Sequence, residues 1–157
     1  MHQAKSRPSR IVSRDPTLES RVSNTNTNTS TMPETPSGFR AGPFDHEKLD
    51  AFRVARVALA RGDRLARGLP RGYASLKDQL RRALLSAYLG VAEAANRTGK
   101  DRTARFRCAR AEAAEAAAAL DAVLVLQLAP AKEVSDIVSL LARLTAMLTK
   151  LAGLSHR

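Results

Sequence analysis

The 157-residue chain has no tryptophan, one cysteine, three histidines and only 4% aromatic residues. Each scarcity excludes something. Cys108, standing alone, can close no internal disulfide and can build no thiolate metal cluster. His2, His46 and His156 show no ligand spacing, so neither metal nor cofactor is expected. So few aromatics argue against a β-sandwich core and against base stacking as a binding mode. No apolar run approaches the roughly 20 residues of a membrane span, and the basic N-terminus lacks a signal-peptide core. The expected compartment is therefore the cytoplasm, with no membrane partner. Acids are scarce as well: 15 Asp and Glu stand against 26 Lys and Arg, a formal net charge of +11. That balance favours a polyanionic partner, and the plain alternative is a basic surface typical of an arginine-rich proteome.

What is present is 44% hydrophobic residue, chiefly Leu, Val and Ala, the material of packed helices. Residues 1–43 form a tail whose polar tract Ser23–Gly38 has little to bury, so disorder is expected there. It carries six Lys and Arg against three acids, and Met32 within it is a second candidate start. From Phe44 the pattern changes to helical spacing, and an antiparallel up-down-up-down four-helix bundle is expected over 44–157. The first helix is expected at about 45–67, with Phe52, Ala55, Leu59, Ala66 and Leu69 inward and Gly62 filling the gap. The second is expected at about 73–97, its stripe Leu76, Leu80, Leu84, Ala87 and Val91. A third at about 101–128 would bury Phe106, Ala109, Ala113, Ala117, Leu120 and Leu124. The fourth, at about 131–152, repeats Val134, Ile137, Leu141, Leu144, Leu148 and Leu151 at heptad-like spacing. The alanine run Ala113–Ala119 fits either a contact with another subunit or simply high helix propensity.

Two polar constellations stand out. On the second helix Gln79, Arg82, Ser86, Gly90 and Glu93 fall within a sector of roughly 80°, away from the core stripe and beside Leu85 and Leu89. In a hairpin turning near Gly99, facing residue numbers sum to about 198. This sets Arg82 level with Glu115 and Glu93 level with Arg105, predicting interhelical ion pairs. The same register holds Glu93 and Glu115 about 15 Å apart along the hairpin, too far to act as a catalytic acid and base. No catalytic residue is identified, and Cys108, in an apolar stretch, is expected to pack in the core. The second constellation is basic. Arg53, Arg56, Arg61, Arg64, Arg67 and Arg71 project within a sector of about 140° on the first helix, with Asp63 at its edge. Such a face can neutralise phosphates of structured RNA or duplex DNA without reading sequence, or it can be a solvated face.

Taken together, Leu69-Pro70, Gln79-Leu80-Arg81-Arg82-Ala83, Ser86, Val91-Ala92-Glu93, Arg97, Gly99-Lys100-Asp101, Phe106, Ala109-Arg110 and Glu115 resemble the "four helix bundle" family. Its members are encoded in intervening sequences of bacterial large-subunit ribosomal RNA genes, and its relatives include accessory proteins of diversity-generating retroelements. The resemblance spans about residues 44–151. Two motifs depart from it: the family's Asn-Ile-Ala-Glu-Gly stands here as Gly90-Val91-Ala92-Glu93-Ala94, and its Ala-Arg-Gly-Ser-Ala as Ala109-Arg110-Ala111-Glu112-Ala113. The resemblance implies a homo-oligomer, specifically a pentamer, with a basic surface. In a retroelement context it also implies binding to nucleic acid and to a reverse transcriptase. The expected function is that of a non-enzymatic nucleic-acid-binding accessory protein; the alternative is a protein-interaction scaffold bundle with no nucleic-acid role.

Overall fold

The computed structural model describes Gly42 and residues 44–154, so the tail expected over 1–43 falls almost wholly outside the described residues. Four α-helices make up the described fold, and no strand occurs among these residues. They are α1 (Asp50–Gly68), α2 (Ala74–Ala95), α3 (Gly99–Val125) and α4 (Ala131–Leu151). Each packs on two neighbours: α1 on α2 and α4, and α3 on α2 and α4. Their inner faces enclose one core in which Phe106, Leu80, Leu84, Leu120, Leu141 and Leu144 are fully buried. Burying a side chain of this size stabilises by about 1.5–3 kcal/mol.

Helix ends explain most departures from the expected boundaries. The first expected helix is two pieces: a 3₁₀ turn over Asp45–Lys48, extended backbone at Leu49, then α1. Local polar contacts hold that tight turn, with the Phe44 N–H donating to Glu47 Oε2 at 3.2 Å and Lys48 Nζ to Asp45 Oδ1 at 2.9 Å. A second 3₁₀ turn, Arg71–Tyr73, follows Pro70 and delays α2 by one residue. α3 starts two residues before its expected position. It stops at Val125 because Gln127 adopts φ 53°, letting the Leu128 N–H reach Val123 O and the Gln127 N–H reach Leu124 O. This is the Schellman closure, usually made by glycine. α4 ends the same way through Gly153, with the Leu154 N–H on Thr149 O. None of the four α-helices has a side-chain hydrogen bond at its N-cap, so packing rather than capping sets where they begin.

The expected core needs correction at six residues. Leu124 is exposed and Val123 takes the buried position, because α3 has small apolar residues on every face and the true inward line is shifted by one. Leu151 lies exposed at the end of α4, where Ala152 is buried instead. Leu59, Leu76 and Ala117 are half-buried at the margins of the core. Cys108 is exposed rather than buried, since it sits two residues, about 200° around the helix, from the inward Phe106. By contrast, Gly62 does face inward: a Cβ there would lie 2.3 Å from Leu84 Cδ1, so the notch in α1 is filled by α2.

Candidate nucleic-acid interface

The α2–α3 hairpin fixes the geometry from which the site is read. Gly90 is buried, and a Cβ on it would come within 3.0 Å of Ala109 Cβ and 3.4 Å of Ala109 Cα. Helix backbones therefore approach closely there, where a larger side chain would separate them. Ion pairs flank this contact. Arg82 Nη2 lies 3.1 Å from Glu115 Oε1, and Arg105 Nε lies 2.6 Å from Glu93 Oε2. With Gly90–Ala109, facing residue numbers sum to 197–199, as antiparallel neighbours require. Gln79 donates to Glu115 as well and accepts from Arg82 Nη2 at 2.6 Å, so three side chains share one knot. Arg97 adds a looser contact to Glu93 at 4.0 Å. Ser86 is half-buried between the two clusters. The polar line thus borders the α2–α3 seam and ties the two helices, while Leu85 and Leu89 beside it stay 47% and 46% exposed.

The six arginines of the basic constellation are not one uniform face. Arg53 is tied to Asp50 at 3.1 Å. Arg67 donates through Nε to Asp63 Oδ2 at 2.8 Å, and Arg81 of α2 donates to the other oxygen, also at 2.8 Å. Asp63 is therefore a hub between α1 and α2 rather than an edge residue. The Arg67 hydrogen bond, followed by that of Arg81, holds its carboxyl below the usual carboxylate range. Arg71 leaves the helical face altogether, because it lies in the 3₁₀ turn beyond α1. Arg56 borders a groove of about 650 Å³ between α1 and α2, floored by Leu59, Ala60, Leu85 and Tyr88.

Arg61 and Arg64 differ from these. They line a separate groove of about 250 Å³ between α1 and α4, together with Glu133, Asp136 and Ile137. Neither forms an ion pair with a described residue, whereas Asp136 is engaged by Lys132 at 3.3 Å. Arg143 and Lys150 follow Asp136 at seven-residue steps and so continue the same stripe along α4. Both are exposed, and no acid follows Asp136 in the sequence. The first helix alone could not reveal this pair, since only the α1–α4 packing brings the two stripes side by side. The resulting surface carries Arg61, Arg64, Arg143 and Lys150 along one side of the bundle.

Among the described residues no group of three or more His, Cys, Asp or Glu could hold a metal ion, and no helix is long and apolar enough to cross a membrane. Glu93 and Glu115 are each committed to an arginine in separate clusters. No family model matches the chain, and no curated protein matches it either.

Proposed function

We propose that this protein is a non-enzymatic nucleic-acid-binding accessory protein that contacts phosphates through the α1–α4 face. The observation that carries the reading is that Arg61 and Arg64 form no ion pair with a described residue although Glu133 and Asp136 line the same groove, while seven-residue spacing sets the exposed Arg143 and Lys150 further along that stripe of α4. Four cations along two adjacent helices suit a polyanionic backbone, and such contacts release counterions when they form. The scarcity of aromatics favours duplex or structured RNA over unstacked single strands. The resemblance to the intervening-sequence family points the same way, and with it come a homopentamer and, beside a retroelement, a reverse transcriptase partner. An up-down-up-down order for the whole bundle belongs to the same reading and is supported by its short connections.

One observation favours the scaffold reading, in which the protein assembles with itself or another protein and has no nucleic-acid role. Leu85 and Leu89 are half exposed on α2, one turn apart, and Val125 is 71% exposed at the end of α3. Apolar surface of this kind suits a protein contact. Titration of the full chain with duplex RNA over about 50–300 mM salt separates the two. Affinity that falls steeply with salt and is lost in Arg61→Glu/Arg64→Glu supports nucleic-acid binding. Salt-indifferent or absent binding leaves the scaffold.

A further inference from the structure

The α3–α4 side of the bundle holds an arginine that neither the polar line nor the α1 face includes. Arg110, half-buried, donates from Nε to Thr149 Oγ1 across the helix pair at 3.0 Å. The Thr149 hydroxyl in turn donates to Thr145 O at 2.8 Å, so its oxygen is oriented to accept from Arg110. A guanidinium held through Nε has its two Nη groups directed away from that anchor, the fork that matches a phosphate. Arg107 lies one turn earlier on the same flank of α3 and is exposed.

What surrounds the two arginines matters as much as what holds one of them. Neither forms an ion pair with a described residue, unlike Arg53, Arg67, Arg81, Arg82 and Arg105. On α3 the next acid on this flank is Asp121, about 16 Å further along the helix. Glu112 is closer in sequence but projects about 160° from Arg110, towards the α2 side. On α4 the facing segment after Asp136 has no acid at all. An arginine half-buried beside a threonine, with its counter-charge missing on both helices, is arranged to receive an anion from outside.

We propose that Arg107 and Arg110 form a phosphate-binding site on the α3–α4 side, that Thr149 is its positioning residue, and that a nucleic-acid backbone supplies the phosphate. This rests on the nucleic-acid reading above and extends it around α4, from Arg61 and Arg64 on one flank to Arg110 on the other. Anchoring Nε in advance removes part of the ordering cost that a free arginine meets on binding. Arg107 supplies charge without fixed geometry.

The test follows the Arg110 Nε–H resonance of the full-length chain by NMR during titration with a 20-base-pair duplex RNA and, separately, with inorganic phosphate; anisotropy with the same duplex measures the salt slope. Movement of the resonance with both ligands is expected. Arg107→Gln/Arg110→Gln should reduce the slope by about two, the share of two phosphate contacts. Thr149→Val, which keeps both charges, should weaken duplex binding about fivefold, the worth of one hydrogen bond, and Thr149→Ser should restore it. Movement with phosphate alone would keep the site, assign it to the free anion and overturn the nucleic-acid source; the function proposed above falls with it only if anisotropy also shows no duplex binding. Duplex binding that Arg61→Glu/Arg64→Glu destroys but Arg107→Gln/Arg110→Gln leaves intact would overturn the site and spare the function. A resonance that moves with neither ligand overturns the site outright.

Discussion

Along α2 and α3 the helices meet through glycine and alanine, whereas α1 and α4 are bordered by a groove edged by Arg61, Arg64, Glu133 and Asp136. At the first contact Gly90 lies against Ala109, Ala113 and Ala116 are buried in α3, and ion pairs close the margin. At the second, arginines stand without described partners. The contrast separates two uses of the same residue type. Arg82 and Arg105 face carboxylates set level with them and serve register; Arg61 and Arg64 share their groove with Glu133 and Asp136 but form an ion pair with neither.

That contrast can be broken experimentally. The largest effect is expected at Phe106, fully buried in α3: Phe106→Ala should cost about 3–5 kcal/mol in urea unfolding. Leu140→Ala, at the half-buried margin of α4, should cost less than half of that. Equal losses would mean that the α4 margin is packed as tightly as the α3 core. Gly90→Val comes next, at about 1–3 kcal/mol, because the added carbons meet Ala109 Cβ and Cα, neither of which can rotate away. A thermal midpoint unchanged by this substitution would show that the helices can separate there at no cost. A double-mutant cycle on Arg82 and Glu115 should return about 0–1 kcal/mol, since the two side chains are 65% and 40% exposed.

The smallest expected effect concerns Asp63. Its folded carboxyl titrates below the ordinary value of 3.8, so the stability it contributes is present above that value and is lost as pH falls through the lower folded value. Asp63→Asn should therefore lower the melting temperature slightly near neutral pH. The difference should begin to shrink as pH falls below about 4 and vanish once the pH lies below the folded value. A gap that persists in acid would mean that the carboxylate charge is not what ties α1 to α2.

Much of the fold was legible because leucine and alanine spacing in α2 and α4 is regular. Leu80, Leu84, Val91, Val134, Ile137, Leu141, Leu144 and Leu148 lie where the periodicity puts them. α3 was harder, since alanines on all sides blur the inward line, and this misplaced Leu124 and Cys108. Helix starts were blurred by the absence of side-chain caps, and the end of α3 by a non-glycine residue in the left-handed region. The α2–α3 ion pairs could be derived because a three-residue connection fixes one register. The connection from α3 to α4 runs over five residues, 126–130, so nothing in the sequence paired Arg110 with Thr149. Counting charges on α1 alone likewise overlooked Arg143 and Lys150 and treated Asp63 as marginal.

Cys108 has a practical consequence. It is the only thiol in the chain, it is exposed, and it is carried in the middle of a 27-residue helix. A maleimide spin label attached there would be rigidly mounted, once per copy, without disturbing the core. In a monomer such labels see no neighbour at fixed range. In a ring of copies they give a set of discrete spacings whose ratios count the subunits, so one natural residue turns the question of assembly into a distance measurement.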